Sequence, residues 1–406
     1  MPITNISSLQ SSPVFNMSLS SKELFHSNFL AWAIKQYPQQ AKDFFCKVIK
    51  LEDNECKCEC DDNSIQCVDR EKKNIDLSFK ICDCCSIYIE NKFKSIAYKE
   101  QLDEYSEKLS KMQGCKRFIL LSLKTPKFFK DSIYTKQNQK DWKLVTYEEL
   151  LNGFYCEIVN DEKIECYEKG LIQDYIKSFC IIINQALSVF DCFNQGKDCG
   201  ENNQYCISNL HQNGTTENNI LKKFQKIRLQ DLLQKGIFED FAYQLHDASK
   251  LNFTSIPPQD IIYGKDTQEK GHIGIYFSYT NNQGLAGIQY SPIDGCSLGV
   301  QIQGNEYKQY VIGDDKKMEN LANCLLSTNE WFYDFTQDIQ FQEPSGKTNI
   351  TTQAKFKSYR IKNNQLFIYR SMPLSSMQPQ PISNSNLIAQ IIIDMQQAIK
   401  IQNCDC

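Results

Sequence analysis

The sequence predicts an α/β protein with a central mixed sheet flanked by helices, followed by a C-terminal α+β, strand-rich domain. Three observations predict it. Segments alternating with period two are interleaved with segments of helical period between residues 18 and 155. Beyond residues 255–260 ("SIPPQD") the composition shifts toward Gly, Tyr and Gln in short alternating runs. A length of 406 residues with 41% hydrophobic and 23% charged residues suffices for two or three domains.

Residues 1–17 are rich in Ser, Asn and Gln, without an apolar period, and are expected to form a flexible arm. In "SLSSKELFHSNFLAWAI", Leu24, Phe25, Phe29, Trp32 and Ala33 recur at helical spacing, Ser20 or Ser21 can cap the helix, and Glu23 suits its positive end. A second short helix, "QQAKDFFCKVIK", precedes alternating segments at 55–60 and 64–71 joined by "DDNS", and then the hairpin "NIDLSFKICDCCSIYIENKFKS" at 74–95. Tyr98, Leu102, Tyr105, Leu109 and Met112 mark the next helix, and "RFILLSL" at 117–123 a buried strand. In "KLVTYEELLNGF" a strand runs into a helix with a capping box of Thr146 and Glu149. Residues 167–193 and 217–250 read as helices around a polar surface insertion. The remainder offers "HIGIYFSY", "SLGVQIQ" and "KQYVIG" as strands, a helix near 315–327, a hairpin turning at Asn363-Asn364, and an amphipathic helix at 385–401. The expected domains are 18–250, a core with a helical extension, and 251–406.

The net charge of −4 excludes a protein coated in positive charge, so nucleic-acid binding would need a local basic patch. A basic and apolar leader is missing from the first twenty residues, and the most apolar runs, at 179–190 and 387–399, are broken by polar residues. A soluble, intracellular, cytoplasmic protein without membrane contact is expected. Nineteen cysteines in such a chain fit reduced thiols. Cys56, Cys58, Cys60, Cys67, Cys82, Cys84 and Cys85 invite a zinc reading, but C-x-C-x-C alternation is not a paired knuckle, and structural thiols are the better reading. The four histidines form no H-E-x-x-H pair, and no P-loop G-x-x-x-x-G-K occurs.

The hairpin carries the chemistry. Alternation places Ile75, Leu77, Phe79 and Ile81 on one face of the first strand and Asp76, Ser78 and Lys80 on the other. On the second strand, Tyr88, Glu90, Lys92 and Lys94 share the face opposite Ile87 and Ile89. A pivot near Asp83 sets Asp76 opposite Glu90 with Lys92 one step along. Paired carboxylates repel unless a cation lies between them, which suits Mg²⁺ or Mn²⁺, and a neighbouring lysine can hold water or offset charge on a phosphate. On their own, the three charges are more readily the solvated polar face of an amphipathic hairpin. Gln101 and Tyr105, one helical turn apart, can reach the same place.

"NIDL", "IENKFK" and "QLDEY", preceded by "KELFHSNFLAW", resemble the PD-(D/E)XK nuclease superfamily, in particular its subgroup with a Q-L-x-x-Y helix. The likeness covers roughly residues 20–150, and Ile75 stands where the family has proline. It implies a restriction-endonuclease-like core and a metal-dependent phosphodiesterase. Asp76, Glu90 and the backbone carbonyl of Asn91 would then bind Mg²⁺ or Mn²⁺. Lys92 would position water or stabilise the transition state, and Glu23 would be the additional acid. Gln101 would orient the nucleophile or phosphate, and Tyr105 would support the site. The expected partner is nucleic acid, DNA first, with RNA or a non-catalytic binding module as alternatives. A role in antiviral defence and a homodimer are further expectations.

Between Lys108 and Lys143, ten basic residues face two acids, a local +8. Lys94, Lys108, Lys111, Lys116 and Arg117 are the residues expected to bind nucleic acid, with Lys124, Lys127 and Lys130 continuing the ridge and Phe128, Phe129, Tyr134 and Trp142 interleaved. The alternative is a solvated face with core aromatics.

Overall fold

The computed structural model describes residues 9, 11–20, 23–49, 65–72, 74–82, 85–129, 133–134, 142–194, 220–252, 261–263, 273–279, 284–291, 295–302, 357–361, 365–373, 384–389 and 392. The segments expected at 55–60, 195–219, 308–313 and 315–327, and residues Cys56, Cys58, Cys60, Cys84 and Lys130, lie outside them. Two compact units divide the chain: Met1–Phe190 with Lys222–Gly236, and Asp191–Leu221 with Ile237–Cys406. Compactness divides the chain near 190 and 236, each within a continuous helix, where loop composition gives no signal.

The first unit opens with α1 (Pro13–Ser20), α2 (Leu24–Gln36) and α3 (Pro38–Ile49), then β1 (Gln66–Lys72), β2 (Ile75–Cys82) and β3 (Cys85–Lys92). Next come α4 (Lys99–Ser110), β4 (Cys115–Ser122), the two-residue β5 (Ile133–Tyr134) and β6 (Trp142–Thr146). Helix α5 (Tyr147–Leu150) passes through a π turn, Leu151–Tyr155, into α6 (Cys156–Asn160), and α7 (Cys166–Asn194) follows. The described sheet has the order β1-β2-β3-β4-β6-β5. Antiparallel pairing joins β1, β2 and β3, while β3, β4 and β6 run parallel. This is the mixed, helix-flanked sheet of a restriction-endonuclease-like α/β fold.

Local chemistry sets the ends of these elements. Thr146 caps α5 by accepting from the Glu149 amide at 3.1 Å, while the Glu149 carboxylate accepts from the Thr146 amide at 2.7 Å, a complete capping box. At α2, the flanking residue is Glu23 rather than the expected Ser20 or Ser21, and no side chain caps it. The carboxylate is directed elsewhere. Residues 11–17 also depart from the expected flexible arm. Val14 and Phe15 are buried, and the Ser12 hydroxyl donates to Asp174 at 2.8 Å. An eight-residue helix is too short for its period to stand out in polar sequence.

The central strand β3 is buried on both faces, so its alternating pattern does not reach solvent. One layer joins Tyr88, Leu102, Leu109, Phe118 and Trp142 between the sheet and α4, where the Trp142 indole donates to Ser106 at 2.7 Å. A second, aromatic layer joins His26 and Phe29 of α2, Phe93, Tyr147 and Tyr155 to Tyr175 and Phe179 of α7. Helix α7 is long and apolar enough by composition to cross a membrane, which the broken runs did not lead us to expect. Its Ile172, Tyr175, Phe179, Ile182 and Ala186 are core side chains here.

Helices α8 (Ile220–Lys226) and α9 (Gln230–Asn252) meet at a sharp turn. Among its described residues the second unit holds a six-stranded sheet in the order β11-β12-β10-β9-β8-β7, with antiparallel pairings. Its strands are β7 (Ile261–Tyr263), β8 (Ile273–Tyr279), β9 (Gly284–Ser291), β10 (Gly295–Ile302), β11 (Lys357–Ile361) and β12 (Gln365–Pro373). Strands β11 and β12 pair antiparallel from Ile361 with Gln365 outward, and the expected turn residues Asn363-Asn364 lie outside the described residues. Of the expected C-terminal helix, residues 384–389 are described and helical.

Candidate active site

Register brings the two hairpin acids together. Leu77 pairs with Ile89, Ser78 with Tyr88 and Phe79 with Ile87, so Asp76 enters β2 beside the point where Glu90 leaves β3. The bulge between Lys80 and Cys82 lies on the turn side and leaves this register intact. Asp76 Oδ2 accepts from the Asn91 amide at 2.7 Å. Glu90 Oε1 accepts from Lys92 Nζ at 2.8 Å and from Gln101 Nε2 at 2.9 Å. The same Gln101 nitrogen donates to the Tyr105 hydroxyl at 3.0 Å, so one face of α4 is tied to the end of β3. Glu23 Oε1 accepts from the Lys94 amide at 3.1 Å and the Ser95 hydroxyl at 2.6 Å, which fixes the start of α2 on the segment after β3.

Burial sets the electrostatics. Glu90, 2% exposed, has its carboxyl pushed up to about 7, first by desolvation; Lys92 opposes the shift, and Asp76 and Glu23 add to it. Asp76 is raised as well, chiefly by burial, against the Asn91 amide and Lys92. For Lys92, burial works against the charge, but Glu90 and Glu23 outweigh it and hold the ammonium above its ordinary range. These shifts pull the Glu90–Lys92 pair toward different charge states. The 2.8 Å contact favours the charged pair at neutral pH, since the ammonium would otherwise face a neutral acid.

Glu90 Oε2 is buried without a hydrogen-bond partner, and an orphaned carboxylate oxygen that feels the charges of Asp76 and Glu23 is where a cation would relieve repulsion. Among the described residues no three His, Cys, Asp or Glu side chains close a shell by themselves. Hard oxygens from two carboxylates fit Mg²⁺ or Mn²⁺, because Mg²⁺ retains waters and takes substrate phosphates.

Two side chains position the site from beside it. Asn91 is buried, donating through Nδ2 to Ser27 Oγ at 2.9 Å and accepting at Oδ1 from Tyr147 at 2.5 Å, which locks β3 between α2 and α5. An asparagine inside E-x-K reads as a spacer until both partners are seen. His26 is buried, packs tilted against Phe93 at 3.9 Å between ring centres and contacts Tyr175 at 3.1 Å. Burial, then Lys94, holds its pKa well below the ordinary value, so it is a neutral packing group.

The basic residues separate into two sets. Lys108 and Lys111 are exposed, Arg117 is half-buried, and Lys108 lies over the Tyr105 ring at 5.9 Å. Lys94 and Lys116 are buried instead: Lys94 Nζ donates to the Ser18 carbonyl at 2.9 Å, and Lys116 Nζ donates to the carbonyls of Met112 and Gly114. Those two ammoniums are held by backbone carbonyls and are buried, where the sequence suggested cations presented to solvent. Gly295–Gly299 has the spacing G-x-S-x-G, but it lies wholly within β10, not on the strand-to-helix turn that exposes a nucleophile. Cys67 is exposed and Cys85 is buried.

Residues 14–180 match the family model of the PD-(D/E)XK nuclease superfamily. No curated protein and no solved structure is a significant match.

Proposed function

We propose that residues 14–180, a domain of the PD-(D/E)XK nuclease superfamily, hydrolyse phosphodiester bonds in nucleic acid with the help of a divalent metal. The observation that carries this reading is the buried meeting of Asp76, Glu90 and Lys92, with one Glu90 oxygen left unpaired. Asp76, Glu90 and the Asn91 carbonyl would hold Mg²⁺ or Mn²⁺, which when bound polarises the phosphate and lowers the pKa of attacking water. Lys92 orients that water and offsets the negative charge growing on the phosphoryl oxygens. Gln101 holds Glu90 and the Tyr105 hydroxyl in one plane of contact, and Glu23 fixes α2 against the site. DNA is the substrate we favour, in defence against foreign genomes inside the cell. One site per chain makes a homodimer the natural way to cut both strands.

Purified protein incubated with plasmid DNA and Mg²⁺ or Mn²⁺ is expected to cut it, with matched RNA as a parallel substrate. Cutting that survives in a Glu90→Ala, Lys92→Ala double variant would sink the proposal.

Metal should also bind in competition with protons. Below about pH 7 the metal-free Glu90 is protonated, and binding must displace that proton, so affinity falls by up to about tenfold per pH unit as pH drops from 7 toward 5. At 100 times its dissociation constant the ion should add about 2.7 kcal/mol to stability. Thermal melts with Mn²⁺ and with chelator are expected to differ by several degrees at pH 8 and to converge at pH 5. An equal shift at both pH values would remove Glu90 from the metal set.

A further inference from the structure

Lys222–Gly236 lies outside the family match yet belongs to the first compact unit. A Cβ at Gly236 would collide with Phe190 and Lys124, so α9 begins pressed onto that unit. Together with the start of α2 it lines a half-open cavity of about 510 Å³, a volume suited to a small ligand or nucleotide. Glu23, Lys94 and Ser95 form one wall; Arg228, Asp231 and Lys235 stand on the other. Glu23 belongs to both places, since it also acts electrostatically on Asp76, Glu90 and Lys92. Lys235 lies over the ring of Tyr98, which precedes the helix bearing Gln101 and Tyr105, at 5.8 Å.

Arg228 is the residue without a folding rationale. The Leu229 amide donates to Phe224 and the Arg228 amide to Gln225, the pair of bonds that ends a helix with one left-handed residue, and Phe224 and Leu229 are both buried. Arg228 occupies that left-handed position at φ 58°, where glycine fits without steric cost. A guanidinium is thus held at the cavity where the backbone favours no side chain.

Building on the nuclease reading, we infer that this cavity receives the nucleotide adjoining the scissile phosphate, with Arg228 and Lys235 binding that nucleotide's own phosphate. Paired cations suit phosphate oxygens, and Lys94 and Ser95, two and three residues after Lys92, set the cavity beside the reacting centre.

The test uses the full chain and 5′-labelled 12-nucleotide DNA and RNA, with binding followed by anisotropy in chelator and cleavage followed in Mg²⁺. An Arg228→Gly, Lys235→Gln variant should bind about tenfold more weakly. Its binding should depend less steeply on salt, by roughly 0.7 log units per lost single-strand contact. Its melting temperature should be equal or higher, because glycine relieves the turn. Where there is cleavage, KM rises and kcat stays within threefold. Loss on both strands supports a phosphate contact, and loss on one alone names the sugar the cavity prefers. Weakened binding by a protein that cuts nothing keeps the phosphate contact of Arg228 and Lys235 and removes the nuclease reading, with the adjoining scissile phosphate. Cutting with unchanged KM, or an unchanged or absent affinity for both oligonucleotides, overturns the inference.

Discussion

Replacing Lys92 with methionine is expected to slow metal-dependent cleavage by about 10²–10³-fold, the usual loss when one preorganised charge is removed from a reacting centre. Metal affinity should be equal or tighter, because the competing ammonium 2.8 Å from Glu90 is gone. Glu90→Gln should lose activity and metal binding together, since it removes the negative charge and puts an amide nitrogen in place of one of the two carboxylate oxygens, of which Gln101 holds one and the other is unpaired. The double variant should be no worse than the poorer single variant, because residues of one site do not contribute additively. Single-turnover cleavage with metal titration separates these outcomes. A Lys92→Met protein that cuts at the wild-type rate would deny Lys92 its catalytic role. The metal-free Lys92→Met protein should also melt lower than wild type at pH 8, since Glu90 loses its buried partner, and Mn²⁺ should restore the difference.

Phe93→Ala should produce the largest loss of stability. Phe93 is 1% exposed and packs on His26, on Tyr147 at 4.7 Å and on Phe179 at 5.3 Å between ring centres. Aromatic-to-alanine changes in such positions cost about 3–5 kcal/mol. For a unit of this size that corresponds to a fall of roughly 10 °C in melting temperature. The consequence reaches the site, because Phe93 directly follows Lys92 and anchors the end of β3 against α2 and α7. Phe93→Leu, which keeps most of the volume, should recover much of the loss. A melting temperature within 2–3 °C of wild type for Phe93→Ala would show that the aromatic layer is not what holds this end of the strand.

The hairpin was legible because its information is local. Strand alternation and the short turn set which residues oppose each other, and the pairs Leu77–Ile89 and Phe79–Ile87 follow from counting. The Thr146–Glu149 capping box is equally local. Three-dimensional neighbours decided what the counting left open. A polar face of Glu90 and Lys92 reads as solvated from the strand alone, yet α4 covers it and leaves Glu90 buried. Lys94 and Lys116 read as surface cations, but backbone carbonyls from α1 and from the turn after α4 take their ammoniums.

By itself, the sequence determined the α/β core, the register of Asp76 against Glu90 and the spacing of Gln101 and Tyr105, all properties of periods two and 3.6. Only the tertiary structure decided that Asn91 is clasped by Ser27 and Tyr147, that Glu23 turns toward Lys94 and Ser95, and that Arg228 and Lys235 line a cavity beside them. Those contacts join residues 56 to more than 200 positions apart. No local period records them; packing brings them together when the helices bury their apolar faces on the sheet.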